Sequence, residues 1–312
     1  MRSRGILVSK ERAEIVEIEV DNPGRDEVLI ETKACGICME EVYIYRGLLP
    51  GGRVVGHEGV GAVVKVGEDV KNVDVGDMVT TLGGPAFAEY YKTKGCNVAR
   101  IPSDIDDYTL WISEPLACVV NGIRGASIEI GDNVCLIGCG YMGLLLLQAM
   151  PIRYMSSLVA LDIHDERLDL ARDFGAEYIL NPRRCDPVRE VEEIMGGKAD
   201  VVIEASGAPG TLDLATSILK RGGKLVIFGR HVIDERVPLE KWHTFGFKVL
   251  NISPSSSRNF NRDFHDAVKL LRKGVFNQSR LITHRFKFEC PDEALRVASE
   301  KPPGYIKGVI VF

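Results

Sequence analysis

The chain lacks any apolar run long enough to cross a lipid bilayer. Its longest one, GLLLLQAMPI, falls well short of the ~20 residues of a membrane-spanning helix. Near the N-terminus the apolar run is only Ile6-Leu7-Val8, which is too short for the core of a secretory signal peptide. We therefore expect a cytoplasmic protein that has no membrane as a partner.

An excess of positive charge is also absent. The 39 Lys and Arg residues are outnumbered by 44 Asp and Glu residues, and the net charge is -5. Proteins that bind the phosphate backbone or anionic lipids usually present a basic surface. Nucleic acid is therefore not an expected partner.

Closely clustered cysteines are missing as well. Eight cysteines are scattered between Cys35 and Cys290, and a cytosolic chain of this size does not need a disulfide framework. Most of them are expected to be small buried apolar side chains. The one Cys-x-x-Cys pair, Cys35 and Cys38, could be a redox pair, part of a structural zinc site or one side of a catalytic metal site.

The pattern of strands and helices predicts an α/β protein with two domains. Residues 1–115 contain short strands separated by glycines, which favours an irregular antiparallel β domain. In residues 116–257, the buried strands NVCLIG, LVALDI, DVVIEA and KLVIFG alternate with helical segments. That alternation is typical of βαβ units in a parallel sheet. Residues 258–312 end in short strands that resemble those of residues 1–115, and they are expected to complete the first domain.

A glycine-rich turn follows the first strand of the parallel sheet. The sequence GCGYMG, residues 138–143, fits the G-x-G-x-x-G pattern between a strand and a helix. Gly138 permits a tight turn, Gly140 lets a pyrophosphate approach the backbone, and Gly143 lets the helix pack on the strand. The N-terminus of the helix would then face the phosphates.

An acidic residue at the expected spacing indicates which dinucleotide binds. Asp162 lies 19 residues after Gly143 and ends the apolar run LVALD. Its carboxylate can bind a ribose hydroxyl and would repel a 2′-phosphate, so NAD is expected rather than NADP. Arg167 keeps NADP as the less favoured alternative, because an arginine placed on the adenine side can accommodate a 2′-phosphate. The residues expected to contact the dinucleotide are Gly138, Gly140, Tyr141, Met142, Gly143, Asp162, Arg167, Ser206 and Gly229.

Side chains able to bind a metal are spread along the β-rich part of the chain. His57 and Glu58 follow Cys38, and Glu114 stands just before Pro115. Thiolate, imidazole and carboxylate together suit zinc, which keeps one position open in catalytic sites. The residues by themselves leave open whether these side chains meet, because a lone histidine is more often a packed or surface residue.

These motifs together resemble the zinc-dependent medium-chain alcohol dehydrogenase family, close to its polyol and threonine dehydrogenase branch. GHEGVGAVVKVGEDV resembles the zinc signature of that family, and VGDMV, EPLACVVNG, VVIEASGAP and LITHRF follow in the family's order. The resemblance covers nearly the whole chain. It implies a GroES-like catalytic domain, a doubly wound Rossmann domain, and an active site in the cleft between them.

The resemblance implies that Cys38 and His57 bind zinc, and that Glu58 and Glu114 bind it directly or through water. The redox reading of the cysteine pair is then disfavoured, since redox pairs are expected near a βαβ unit. The expected reaction is reversible oxidation of a secondary alcohol, with hydride passing to NAD. A polyol, sugar or hydroxy-amino acid, or the corresponding ketone, is the expected substrate.

The chain departs from the family pattern in one whole lobe. Most relatives carry four closely spaced cysteines that bind a structural zinc, whereas here GDMVTTLGGPAFAEY runs straight through. One zinc ion per chain is therefore expected. Because this lobe often contributes to subunit contacts, a homo-oligomer is expected but a dimer and a tetramer both remain open.

A second departure follows Cys38, where the usual Gly, Thr or Ser, and Asp are replaced by Met39, Glu40 and Glu41. Glu41 can hold a zinc-bound imidazole as the Asp does. Glu40 either accepts the alcohol proton itself or turns away and leaves the relay to water. Tyr43 stands where many relatives have histidine.

Two other functions remain open from the sequence. One is a zinc-free reductase of the same superfamily, which the presence of Cys38, His57 and Glu58 disfavours. The other is a non-catalytic NAD-binding relative, silenced by the changes after Cys38. The segment NISPSSSRNF, residues 251–260, is expected to line the nicotinamide side or to form an ordinary polar loop.

Overall fold

The computed structural model describes residues 1–312 and separates them into two compact units. The first unit comprises Met1–Ala117 and Asn261–Phe312, and the second comprises Cys118–Phe260. The second unit is thus inserted into the sequence of the first. None of the helices combines the length and apolarity that crossing a bilayer requires.

The β-strands are numbered in chain order. They are β1 (Arg2–Ser9), β2 (Arg12–Glu19), β3 (Glu27–Gly36), β4 (Arg53–Val54), β5 (Glu58–Val66), β6 (Met78–Thr81), β7 (Tyr90–Lys94), β8 (Val98–Arg100), β9 (Asn133–Ile137), β10 (Ser157–Leu161), β11 (Tyr178–Leu180), β12 (Ala199–Glu204), β13 (Leu219–Ile227), β14 (Lys248–Asn251), β15 (Ile282–Lys287) and β16 (Lys307–Val311).

The α-helices are numbered in the same way. They are α1 (Met39–Tyr45), α2 (Glu114–Ala126), α3 (Tyr141–Ala149), α4 (Asp165–Asp173), α5 (Pro187–Met195), α6 (Thr211–Ile218), α7 (Leu239–Phe245), α8 (Phe260–Arg272) and α9 (Pro291–Glu300).

The first unit is built on two sheets. One has the order β2-β1-β4, and the other has the order β15-β16-β3-β5-β6-β8, with β7 paired to β3. All pairings are antiparallel except that of β15 with β16, and the register shifts twice between β3 and β5. The predicted irregular antiparallel sheet is therefore confirmed. Its core includes Cys35, which is fully buried in β3.

The second unit contains one parallel sheet with the order β11-β10-β9-β12-β13-β14. The chain builds outward from β9 to β11 and then crosses back to begin again at β12. The direction of winding therefore reverses between β9 and β12, and in such sheets ligands bind outside the carboxyl ends of the strands at this point. The predicted doubly wound parallel sheet is confirmed, with β11 and β14 added to the four predicted strands.

Two helices of the second unit end for different reasons, one at a proline and one where a strand begins. Helix α3 ends at Ala149, just before Pro151, as expected for a residue that cannot continue a helix. Helix α6 begins at Thr211 in the helical segment GTLDLATSILKRGG, residues 210–223. It ends at Ile218, because Leu219 is buried and pairs with Ala199 as the first residue of a strand.

Candidate active site

The start of α1 holds Cys38 in place. Cys38 is the residue just before the helix, and its backbone N–H donates a hydrogen bond of 2.8 Å to Oε2 of Glu41. Such a contact satisfies a backbone donor that the helix itself leaves unpaired. Only 1% of Glu41 is exposed, so this carboxylate belongs to the interior of the site.

The same carboxylate holds His57. Oε1 of Glu41 lies 3.0 Å from Nδ1 of His57, which stands just before β5. A carboxylate at Nδ1 keeps a proton on that nitrogen and leaves Nε2 available as a metal ligand. Glu41 therefore connects the backbone of Cys38 to the ring of His57.

The charges of Cys38 and His57 depend on each other. Burial raises the pKa of the Cys38 thiol, and His57 opposes this only in part. Burial acts to lower the pKa of His57, but the charges of Glu41 and Cys38 outweigh it and raise the pKa well above its usual value. Such shifts are typical of partly buried groups, whose charged forms are disfavoured by burial and favoured by nearby opposite charges.

Two overlapping groups of possible metal ligands meet at His57. One ligand atom from each of Cys38, Glu41 and His57 lies within 4.8 Å of the others, and the same holds for His57, Glu58 and Glu114. Glu58 and Glu114 are 1% and 8% exposed. Cys38 and His57 are half-buried. This set of sulfur, imidazole and carboxylate donors fits zinc, which binds these three ligand types in proteins.

Sequence reasoning missed Lys307, which lies on β16. Its Nζ donates to Oε1 of Glu58 at 2.7 Å and to the carbonyl of Ile37 at 2.9 Å. Oε2 of Glu58 is 2.6 Å from the same nitrogen but has no hydrogen bond of its own. Because Ile37 precedes Cys38 and Glu58 follows His57, one buried ammonium connects the two ligand-bearing segments.

The charge of Lys307 is maintained by its partner. Burial acts to lower the pKa of Lys307, but the carboxylate of Glu58 outweighs this effect and the pKa lies above its usual value. The sequence carried a weak signal for this contact, since a single lysine interrupts the apolar run YIKGVIVF. A buried charge requires a partner, but the sequence does not say which one.

Gly36 makes room for the carboxylate of Glu58. A Cβ atom at Gly36 would lie 1.9 Å from Oε2 of Glu58 and 2.9 Å from Cδ1 of Ile112. Only glycine therefore fits at the end of β3 while Glu58 keeps this position.

Glu40 and Tyr43 lie three residues apart on α1, and both are half-buried. Residues at this spacing are neighbours on a helix surface. Neither residue belongs to the two groups of ligand atoms. Their part in the chemistry stays a prediction.

In the second unit, the turn between β9 and α3 shows three different demands on glycine. Gly138 has φ +98°, and a Cβ there would lie 2.8 Å from Cβ of Ser206. A Cβ at Gly143 would lie 1.9 Å from the carbonyl oxygen of Gly138. A Cβ at Gly140 would meet nothing within 4 Å. Gly140 thus borders open space at the start of α3, where a pyrophosphate can approach.

The carboxylate of Asp162 is hydrogen-bonded to this turn. Its Oδ2 accepts a hydrogen bond of 2.7 Å from the backbone N–H of Cys139, and its Oδ1 accepts one of 2.9 Å from that of His164. Asp162 is 8% exposed. The acid predicted from its spacing therefore lies beside the glycine turn, with the strand β10 ending just before it.

The other predicted cofactor residues follow the same strand ends or begin the helices after them. They are Tyr141 and Met142 on α3, Arg167 on α4, Ser206 after β12 and Gly229 after β13. The polar segment 251–260 runs from the last residue of β14, at the same edge, to the first residue of α8.

Comparison with known proteins places both units in one family. Residues 24–103 match the alcohol dehydrogenase GroES-like domain, and residues 142–273 match the zinc-binding dehydrogenase domain. The L-threonine 3-dehydrogenase of Caldanaerobacter subterraneus subsp. tengcongensis is 31% identical over an alignment that is 313 positions long with its gaps and covers 89% of each chain.

Two solved structures resemble the whole chain. A structure described as a short chain alcohol dehydrogenase from Escherichia coli, complexed with the cofactor NADH, has a TM-score of 0.86 and 26% identity. It covers 100% of this chain and 99% of its own. The 2R,3R-butanediol dehydrogenase of Bacillus subtilis has a TM-score of 0.83, 23% identity and full coverage of both chains (100%), and supports the fold.

The domain matches extend over both units, and the curated relative aligns along nearly the whole length of the chain. Members of this family are oxidoreductases that act on CH–OH groups with zinc and a nicotinamide cofactor. The chain belongs to the zinc-dependent medium-chain alcohol dehydrogenase family, in its threonine dehydrogenase-like branch.

Proposed function

We propose that this protein oxidises a secondary alcohol reversibly and passes the hydride to NAD. The observation that carries this proposal is the meeting of thiol, imidazole and carboxylate donors around His57, with Glu41 holding Nδ1. The substrate would be a small polar alcohol such as a polyol, a sugar or a hydroxy-amino acid. The unit with residues 1–117 and 261–312 is the proposed catalytic domain, and residues 118–260 form the proposed NAD-binding domain.

One zinc ion per chain would be held by Cys38, His57 and one carboxylate. Glu114 is the proposed carboxylate ligand, because both oxygens of Glu58 lie within 2.7 Å of the ammonium of Lys307. When bound, zinc supplies a Lewis acid that lowers the pKa of an alcohol. The protein residues hold the ligands in place and keep most of the site dry.

The roles of the surrounding side chains follow from their positions. Glu41 orients the ring of His57 and holds its proton at Nδ1. Glu40, with Tyr43 beside it on α1, is the proposed start of the path by which the alcohol proton leaves. Glu40 would accept this proton directly or through a water molecule.

NAD is the proposed cofactor rather than NADP. Asp162 directly follows β10 beside the glycine turn, where a carboxylate favours free ribose hydroxyls and disfavours a 2′-phosphate. A zinc-free reductase is the less favoured alternative, since the donor set at His57 would then have no purpose. A non-catalytic NAD-binding relative is the other alternative, and it differs by the absence of turnover.

The experiment combines zinc analysis with a substrate screen. The protein is reconstituted with zinc and desalted, the zinc content per chain is measured, and NAD⁺ reduction is followed with L-threonine, 2R,3R-butanediol and a panel of polyols. Zinc near one per chain together with NAD⁺ reduction on one of these alcohols is the expected result.

The matched control is Cys38→Ser, which should lose turnover while NADH binding, measured by fluorescence, is retained. Zinc near zero in the wild type would favour the zinc-free reductase. Bound zinc and NADH without turnover on any alcohol would favour the non-catalytic relative.

A further inference from the structure

The carboxyl edge of the parallel sheet carries a second charged cluster, separate from Asp162 and the glycine turn. Nδ1 of His231 lies 2.6 Å from Oε1 of Glu235, and its Nε2 lies 3.0 Å from Oε2 of Glu204. The side chain of His231 is 13% exposed, that of Glu235 is 19% exposed, and that of Glu204 is fully buried. An imidazole is therefore held between two carboxylates.

Glu204 organises the turn that follows β12. Its Oε1 accepts hydrogen bonds from the backbone N–H groups of Ser206 and Gly207, each at 2.9 Å, and from the hydroxyl of Thr211 at 3.0 Å. Ser206 packs against Gly138, where a Cβ would come within 2.8 Å of its side chain. Glu204 thus stabilises the turn that contacts Gly138, the first glycine of the G-x-G-x-x-G motif.

Glu235 secures the other side of the cluster. It belongs to segment 229–237, which follows β13, and its Oε2 accepts a hydrogen bond of 3.2 Å from the backbone N–H of Gly210, just before α6. His231 and Glu235 therefore connect segment 229–237 to the turn after β12. These strand ends lie next to the point between β9 and β12 where ligands bind in sheets of this type.

Both contacts of His231 require a proton on each ring nitrogen. A neutral imidazole has a single N–H and can donate to only one of the two carboxylates, while the other carboxylate faces a lone pair. Burial acts to lower the pKa of His231, but hydrogen bonds to Glu235 and Glu204 outweigh it and the pKa is raised. These two carboxylates are the ionisable groups that act most strongly on the ring, and the contact with His231 lowers the pKa of Glu235.

We propose that His231, as an imidazolium, is a positioning residue of the cofactor site that fastens segment 229–237 to the Glu204 turn. The inference rests on the proposed function, because it assumes that this edge receives a nicotinamide cofactor. The pKa of His231 is raised by the fold, so the contribution of the bridge is complete below the ordinary histidine pKa. It is lost as the pH rises through the raised pKa, and affinity for NADH falls with it.

The test measures the Kd for NADH by fluorescence, without zinc chemistry or an alcohol, from about pH 6 to about pH 10. In the wild type, Kd is expected to rise about tenfold over this range, as one charge-assisted hydrogen bond is lost. His231→Asn should bind NADH weakly at every pH, as the wild type does at high pH. Glu235→Gln, which keeps the shape of the side chain, should show a smaller rise than the wild type.

The matched control is His243→Asn, because His243 is an exposed histidine on α7 of the same unit. The Kd of this variant should follow the wild-type pH curve. That result would show that the effect of His231→Asn is not caused by the loss of any histidine. If His231→Asn does not fold, the comparison of Glu235→Gln with the wild type carries the same test.

Equal pH curves for the wild type and the bridge variants would overturn the inference while leaving the proposed function intact. A constant Kd in the wild type would do the same. Absence of NADH binding by the wild type at every pH would instead overturn the proposed function, and the inference with it.

Discussion

Lys307 and Glu41 act on the candidate metal site without belonging to its proposed ligands. Both side chains are almost fully buried. Glu41 accepts a hydrogen bond from the backbone N–H of Cys38, and Lys307 donates one to the carbonyl of Ile37, the preceding residue. A charge in the protein interior costs free energy unless it is paired and hydrogen-bonded. Departure of either side chain from its partner is therefore unfavourable, which restricts the segments around Cys38 and His57 to one arrangement.

Removing the ammonium alone tests this view of Lys307. In Lys307→Met the carboxylate of Glu58 stays buried without a cation, so the free energy of unfolding is expected to fall by about 3–5 kcal/mol. The value is measured by urea unfolding of the zinc-free protein. The double variant Lys307→Met, Glu58→Gln should recover most of this loss, because no uncompensated charge remains. Equal stability of Lys307→Met and the wild type would show that the pair is not formed.

The role of Glu40 is tested through the pH profile of turnover. Glu40→Gln keeps the size of the side chain but cannot accept the alcohol proton, so it should lower kcat by about 100-fold. Zinc content and NADH binding serve as controls, because Glu40 lies outside the donor groups around His57. Unchanged turnover at every pH would remove Glu40 from the mechanism.

At the scale of elements, the turn from β9 into α3 combines a packing requirement with a binding requirement. Gly143 is needed because the helix and the turn are in contact there. A Cβ atom at Gly140 would instead have no other atom within 4 Å. The two glycines of one motif should therefore respond differently to the same substitution.

The pair Gly140→Ala and Gly143→Ala makes this difference measurable. Gly140→Ala should leave the free energy of unfolding within about 0.5 kcal/mol of the wild type. It should nevertheless weaken NADH binding at least about tenfold, since the new methyl group occupies the space of the pyrophosphate. Gly143→Ala should lower stability by about 1–3 kcal/mol, because its Cβ overlaps the backbone of Gly138.

Urea unfolding and NADH fluorescence on both variants provide the two readouts. Normal NADH affinity in Gly140→Ala would mean that the cofactor does not approach this turn.

At the scale of the molecule, the proposed zinc ligands and the proposed NAD-binding residues lie in different compact units. Cys38, His57 and Glu114 lie in the first unit, and Asp162 and the glycine turn lie in the second. A ligand that binds only the folded form stabilises the part of the structure it contacts.

Hydrogen exchange measured by mass spectrometry should separate the two effects. Removing zinc with a chelator is expected to increase exchange most in peptides that contain Cys38 and His57. Adding NADH is expected to decrease exchange most in peptides that cover residues 138–143. Zinc-dependent protection that is strongest around the glycine turn would contradict the proposed location of the metal.

The family and the fold class could be read from the sequence because they depend on local patterns, and the same patterns supplied the proposed site residues. The dinucleotide-binding turn requires glycines at 138, 140 and 143 and an acid about 20 residues later. These residues are close together in the chain, so their spacing is visible in the sequence. Alternating buried strands and helices likewise indicate a parallel sheet. Short or half-exposed elements such as β11 and β14 were missed because they lack a long apolar pattern.

The ion pairs around both sites were decided only by tertiary structure. Lys307 and Glu58 are 249 residues apart in the chain, and they meet because β16 and β5 both flank β3 in one sheet. Glu204 and His231 meet because two parallel strands end side by side. By itself, the sequence determined which reactive groups the protein has and which local turns present them. The sheet pairings determined which charges are buried together, since a buried charge is stable only beside the partner that the fold brings to it.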